Sequence, residues 1–119
     1  MDNLVFREKV REVEVLCNEY LFVLGKYLSE GEMYLVRYID SKLEEMYVRG
    51  SVSNKVVEVL GHKRIEIITG RLDDMSQDDI YKLQLLELAL LMFVNTGRLD
   101  DVYVVADMFS IELSEQPVH

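Results

Sequence analysis

The stretch Leu83-Gln-Leu-Leu-Glu-Leu-Ala-Leu-Leu-Met-Phe-Val94 decides the fold, because ten of its twelve residues are apolar. Gln84 and Glu87 are the two polar residues that interrupt it. A run of this length is too short to span a bilayer. A helix that is apolar nearly all round has to be surrounded by other helices or by a partner. We therefore predict a largely covered helix here, and a second copy of the chain would supply any wall that the chain itself lacks.

Helix start and stop signals lie on both sides of this stretch and recur along the chain. Ser76-Gln-Asp-Asp79 and Ser29-Glu-Gly-Glu32 both have the spacing of a capping box, in which a serine caps the helix. Ser53 is a third candidate cap. Single glycines follow stretches with helical apolar spacing and predict left-handed helix ends; they are Gly31, Gly50, Gly70 and Gly97.

These signals predict five helices joined by short connections, which favour antiparallel neighbours. The predicted spans are 3–28, 30–49, 54–69, 77–96 and 99–113. The fold class is therefore all-α, a compact bundle of about five antiparallel helices. We expect a single helical domain over 1–113 and a flexible C-terminal tail over 114–119.

Residues 55–69 allow a second interpretation, because they are rich in β-branched side chains. A β-hairpin over 55–69 that turns near Gly61 would place its apolar side chains in alternation and would make the fold α+β. The helical interpretation gathers the same apolar residues on one side. We favour the helix because Gly50 and Gly70 bound this segment as glycines bound the others.

The hexapeptide Thr-Gly-Arg-Leu-Asp-Asp occurs twice, at 69–74 and 96–101, although the flanking sequences differ. Each copy offers a glycine to stop one helix, a leucine to return to apolar surface and two carboxylates for the first turn of the next helix. Since the flanks do not match, the repeat predicts a recurring helix-ending turn and not an array of similar domains.

Two groups of apolar residues lie away from the main apolar faces and are candidate partner-binding sites. Leu4, Val15 and Phe22 are spaced by 11 and 7 residues, so they align on the polar side of the first helix as a ridge. Tyr34 and Tyr38 lie one turn apart on the second helix, and tyrosine is enriched at protein interfaces. Packing at the edge of the core is the alternative role for the two tyrosines.

The residues that usually carry chemistry are sparse. The acidic segment 73–79 lacks the glycine and glutamate of a calcium loop, so we interpret its carboxylates as helix-end charges. His62 has no second ligand at metal-site spacing, and Cys17 falls inside an apolar stripe. We therefore expect no catalytic residues, no metal and no cofactor.

Charge and cysteine content narrow the classes of function. The chain has 22 acidic and 13 basic residues, a net charge of −9, which disfavours binding to nucleic acid or to anionic membranes. A single cysteine excludes an internal disulfide and suits a reducing, cytoplasmic location.

The expected function is a non-enzymatic protein-interaction module, a small acidic regulator, inhibitor or scaffold that self-associates through surplus apolar helix faces. Its partners would be another protein, a second copy in a homodimer, or both. One alternative is an acidic mimic of DNA that occupies a nucleic-acid-binding protein. Another is a small all-α hydrolase that holds a metal with carboxylates at helical spacing, such as Asp40 and Glu44.

Overall fold

The computed structural model describes residues 3–113, and of these the side chains of 9–46 and 48–113. Its described residues contain five α-helices and no strand, so the all-α prediction is confirmed. A 3-10 turn, Leu72–Asp74, precedes the fourth helix. The helices are α1 (Asn3–Leu24), α2 (Glu30–Arg49), α3 (Asn54–Thr69), α4 (Gln77–Thr96) and α5 (Asp100–Met108). The predicted tail over 114–119 lies outside the described residues.

Helix α3 settles the ambiguous segment, because the β-hairpin expected as an alternative over 55–69 is wrong. Ser53 caps this helix by accepting a hydrogen bond from the N–H of Val56, at 3.5 Å. From its middle, the Arg64 guanidinium donates to the Asp40 carboxylate on α2, at 2.7 Å. Cap and tertiary contact together outweigh the β preference of individual valines and isoleucines.

The chain divides into two compact units. Unit 1 combines residues 1–23 with 76–119, and unit 2 is the continuous segment 24–75. The prediction of a single domain over 1–113 stays a prediction.

Unit 1 joins α1 to the pair α4 and α5, which contact each other. The Lys82 ammonium on α4 donates to the Glu19 carboxylate on α1, at 2.7 Å, and lies 5.4 Å from the ring centroid of Phe109. Lys9 donates to the carbonyl of Gly97, at 2.9 Å. The buried apolar residues of the unit are Leu16, Tyr20, Val23, Leu83, Leu86, Ala89, Phe93, Val102, Val105, Ala106 and Leu113.

Unit 2 is built around α2 and α3, which contact each other. The predicted capping box at the start of α2 is confirmed. The Glu32 N–H donates to the Ser29 hydroxyl at 3.2 Å, and the Ser29 N–H donates to the Glu32 carboxylate at 2.9 Å. Arg71 reaches the same carboxylate at 2.8 Å. The buried apolar residues are Leu24, Leu28, Met33, Val36, Ile39 and Met75.

Two helices end earlier than the sequence predicts. Helix α1 stops at Leu24 and not at residue 28, because Leu24 accepts from the N–H groups of both Tyr27 and Leu28 and the chain turns there. Helix α5 stops at Met108 and not at residue 113. The helical spacing of apolar residues continues past the ends of α1 and α5. Such spacing therefore marks buried residues that follow a helix as well as those within it.

A serine, and not a glycine, forms the left-handed residue that ends α5. Ser110 has φ +56°, and the N–H of Ile111 donates to the carbonyl of Ala106 at 2.8 Å. The Ser110 N–H donates to the carbonyl of Asp107, at 3.2 Å. These two bonds form a Schellman motif, which glycine usually supplies.

The predicted left-handed conformation is confirmed at only two of the four glycines. Gly50 and Gly97 have φ of +71° and +70°, as predicted. Gly31 lies inside α2, and Gly70 has φ −63°, so the prediction of left-handed ends there is wrong. Gly31 belongs to the capping box of α2, and Gly70 continues in a right-handed conformation towards the 3-10 turn.

Candidate functional site

Helix α4 is covered on one side only. Its buried residues are Leu83, Leu86, Ala89 and Phe93. On the other side the aromatic Tyr81 is exposed at 54% near the helix start, and four large non-aromatic residues stay exposed in the second half of the helix, namely Leu88 at 53%, Leu91 at 52%, Val94 at 46% and Met92 at 36%. We call these four residues the α4 outer face. The chain therefore does not surround this helix by itself. Of the two possibilities that the sequence suggested, complete coverage by the other helices of the chain is wrong, and coverage by a partner stays a prediction.

Helix α5 also exposes apolar side chains, next to the end of α4. Val104 and Met108 are exposed on this helix, one turn apart. Asp101 precedes Val104 by three residues and Asp107 follows it by three, and both are exposed. Carboxylates therefore flank the apolar residues of α5 at helical spacing.

Net charge is distributed unequally between the two units. Unit 1 has 13 acidic and 5 basic residues, a net of −8, whereas unit 2 has 9 acidic and 8 basic residues, a net of −1. Residues 77–113 include seven acidic residues and only two basic ones, Lys82 and Arg98. Each of these cations already contacts a carboxylate: Lys82 contacts that of Glu19, and Arg98 that of Asp100. The exposed apolar residues of unit 1 thus lie in a strongly negative part of the chain.

The predicted ridge on α1 is described in part. Phe22 is 69% exposed and Val15 is half-buried. Leu4 belongs to α1, but its side chain lies outside the described residues. The role of Leu4, Val15 and Phe22 in partner binding stays a prediction.

The two tyrosines of α2 are both exposed, Tyr34 at 70%. The Lys42 ammonium lies 5.7 Å from the ring centroid of Tyr38, a distance at which a cation and an aromatic face attract each other. Tyr38 therefore has a local contact that Tyr34 is not shown to share. Partner binding by this pair also stays a prediction.

Side chains with the potential for chemistry do not gather into a reactive site in the described part of the chain. No group of three or more His, Cys, Asp or Glu residues there is placed to hold a metal ion. His62 is exposed and Cys17 is half-buried. Among the residues at 3–113, no helix is long and apolar enough to cross a membrane.

Two acidic residues have surroundings that the sequence did not reveal. Glu12 is the one buried charged residue in the described part of the chain, at 2% exposure, and lies one turn before the buried Leu16. Burial raises the pKa of Asp40 above its ordinary value, although the neighbouring Arg64 charge opposes this shift. Residue spacing gives no signal for Asp40, because its partner Arg64 comes from another helix.

The α4 outer face itself had a signal that sequence reasoning interpreted too weakly. Gln84 lies one turn before Leu88 and is exposed, and it marks the side of the helix that faces solvent. The apolar residues around it favoured a covered helix in the sequence analysis.

No protein-family model matches the chain, and neither a curated protein nor a solved structure matches it. The case for a function therefore rests on the surfaces and charges of the chain itself.

Proposed function

We propose that this protein is a non-enzymatic protein-interaction module, a small acidic regulator, inhibitor or scaffold that binds through the α4 outer face. The observation that carries the proposal is the half exposure of Leu88, Leu91, Met92 and Val94 on one side of a single helix. Monomeric proteins rarely expose contiguous apolar patches larger than a few hundred Å², and larger ones commonly mark interaction sites.

A simple estimate shows what a partner has to supply. Fully burying a large apolar side chain stabilises by about 1.5–3 kcal/mol, so covering four half-exposed ones contributes roughly 4 kcal/mol. Association costs at least about 4 kcal/mol in lost freedom of motion. The α4 outer face alone therefore barely balances that cost, and a stable complex needs further contacts. Val104 and Met108 on α5 are exposed apolar residues that could provide some of them.

The test combines affinity capture from the source cells with light scattering of the purified chain. We expect a stoichiometric protein partner, or self-association, that is lost in Leu91→Ser. Ile65→Ser is the matched control, since it also removes a large exposed apolar side chain but lies on α3. Both variants should unfold within about 1 kcal/mol of the wild type, because exposed positions contribute little to stability.

The same experiment covers the predicted ridge. Phe22→Glu should fold like the wild type, because Phe22 is exposed. Loss of the partner in Phe22→Glu and not in Leu91→Ser would move the binding site from α4 to α1. A chain that stays monomeric and captures nothing in stoichiometric amounts contradicts the proposed function.

A DNA mimic is the second candidate, and the net charge of −8 in unit 1 favours it. Mimicry would depend on charge alone, so the affinity of such a complex would fall steeply with ionic strength. An apolar surface on α4 predicts a complex that partly survives salt. Measuring the captured complex at low and high salt separates the two candidates.

A further inference from the structure

Resting on the proposed function, we propose that the α4 outer face and the exposed side of α5 bind a basic amphipathic helix of another protein, and not a second copy of this chain. The partner would place apolar side chains on the α4 outer face and lysines or arginines against the carboxylates of α5. This arrangement is a common mode of peptide recognition, in which an amphipathic helix lays its apolar side on a hydrophobic surface.

The charge around these apolar residues is predominantly negative. Residues 77–113 include seven acidic residues and two basic ones, and Glu19 and Asp100 already engage those two cations. Lys9 of α1 adds a third cation at the connection, where it donates to the Gly97 carbonyl, and unit 1 still has a net charge of −8. A partner with positive charge gains from this field in both association rate and specificity.

The first carboxylates of α5 follow the apolar residues of α4 closely along the chain. Residues 97–99 are the whole connection between α4 and α5, so Asp100 and Asp101 begin α5 close to the end of α4. Val94 lies three residues before that connection, a rise of about 5 Å along a helix. The apolar residues at the end of α4 and the carboxylates at the start of α5 therefore share one end of this helix pair.

A second copy of the chain fits this surface less well than a cationic helix. A symmetric dimer would place the same surface of two chains together, and would bring two acidic regions of equal sign into contact. Like charges directly opposed across an interface are repulsive, and the apolar residues here are too few to dominate that interaction. A cationic helix covers the same apolar residues and gains from the carboxylates.

Two synthetic peptides of about five helical turns test this inference with the full chain. Both carry leucines at the same helical spacing, and the remaining positions are lysine in one peptide and glutamate in the other. We expect the lysine peptide to bind at least about tenfold more tightly than the glutamate peptide, as measured by fluorescence anisotropy, and to bind more weakly as salt is raised.

Variants of the chain locate the binding surface. Asp101→Asn combined with Asp107→Asn should weaken the lysine peptide roughly threefold to tenfold, the range expected for two exposed charge contacts. Asp73→Asn combined with Asp74→Asn is the matched control, because it removes two exposed carboxylates from unit 2 and should leave the affinity unchanged. Leu91→Ser should weaken the lysine peptide as well.

Three results would overturn the inference. Equal affinity for both peptides would remove the role of charge and leave the α4 outer face as an apolar binding site. Equal weakening by the two asparagine pairs would show nonspecific attraction to an acidic chain. A dimer that depends on Leu91, formed by a chain that does not bind the lysine peptide, would identify a second copy as the occupant. In that last case the proposed interaction module would stand.

Discussion

Two identical hexapeptides in this chain adopt different conformations. In 69–74 the glycine is right-handed, with φ −63°, and the chain continues into the 3-10 turn Leu72–Asp74 before α4 begins. In 96–101 the glycine is left-handed, with φ +70°, and α5 begins directly at Asp100. Because the six residues are the same, the difference comes from their surroundings.

The contacts of the two arginines differ in the same way. Arg71 donates from both Nε and Nη2 to the Glu32 carboxylate, 39 positions away in the sequence. Arg98 contacts Asp100, two positions away, and both partners are exposed. The arginine of the first copy is therefore fixed by a tertiary contact within unit 2, whereas the arginine of the second copy pairs locally. The tertiary contact of the second copy is made by its backbone, because the Gly97 carbonyl accepts a hydrogen bond from Lys9. The local sequence determines that the chain turns at both copies, and tertiary contacts determine the conformation of each turn.

The largest expected effect comes from replacing the glycines of the two hexapeptides. Gly97→Ala should destabilise the chain by about 1–2 kcal/mol, because an alanine side chain disfavours the left-handed conformation. Gly70→Ala should be neutral or stabilise by about 0.4–1 kcal/mol, because alanine restricts the unfolded chain and fits the right-handed conformation. A Cβ at Gly70 would lie 3.4 Å from the carbonyl oxygen of Glu66, an ordinary contact. Urea unfolding of both variants measures the difference.

Space does not explain this contrast, because a Cβ at Gly97 would meet no atom within 4 Å. The expected cost there is entirely conformational. Equal effects of the two substitutions would contradict the interpretation that backbone conformation separates the two copies.

A smaller effect is expected at the arginines. Arg71→Gln should lower the melting temperature measurably, since it removes a two-nitrogen contact between the end of α3 and the start of α2. Arg98→Gln should leave the melting temperature unchanged within error, because an exposed ion pair contributes little to stability. The effect of Arg71→Gln should stay below that of Gly97→Ala. A larger loss in Arg98→Gln would reverse the comparison.

The smallest expected effect depends on pH and concerns the contact between Arg71 of the first hexapeptide and Glu32. The hydrogen bond from Arg71, with a further one from the Ser29 N–H, lowers the pKa of Glu32 from 4.5 to about 2. The ionised carboxylate therefore stabilises the folded chain above pH 4.5, and this contribution is lost as the pH falls from 4.5 to 2. Glu32→Gln removes the charge but keeps an acceptor for the capping box.

We expect the difference in free energy of unfolding between wild type and Glu32→Gln to be constant above about pH 5 and to shrink between pH 4.5 and 2. Urea unfolding at several pH values measures it. In an Arg71→Gln background the same difference should lose most of its pH dependence, because the guanidinium that lowers the pKa of Glu32 is then absent. A difference that does not vary with pH would contradict the assigned role of Arg71.

The order and position of the helices could be predicted from local signals. The starts of α2 and α4 follow serines whose hydroxyls accept the predicted cap bonds, at Ser29 and Ser76. The ends of α2 and α4 coincide with left-handed Gly50 and Gly97. The end of α5 could not be predicted, because Ser110 adopts a conformation that its residue type does not favour.

The candidate site could be predicted only in part. The apolar excess of 83–94 indicated that this helix needs a partner, but apolar spacing alone could not separate the buried Leu86 from the exposed Leu88. That distinction depends on where α1 and α5 pack, which is a property of long-range contacts. The exposure of Phe22 agrees with its expected position outside the main apolar stripe, whereas its role in binding stays a prediction.

The division of the chain has a consequence for the order in which its parts can fold during synthesis. Unit 2 is one continuous segment, so all of its residues have been synthesised once residue 75 is added. Unit 1 needs both ends of the chain, since Glu19 meets Lys82 across 63 positions and Lys9 meets Gly97 across 88. Translation at about 5–20 residues per second makes α1 wait roughly 3–10 s while residues 24–75 are added. During that interval the apolar residues of α1 lack the residues of 76–113 that belong to the same unit in the folded chain.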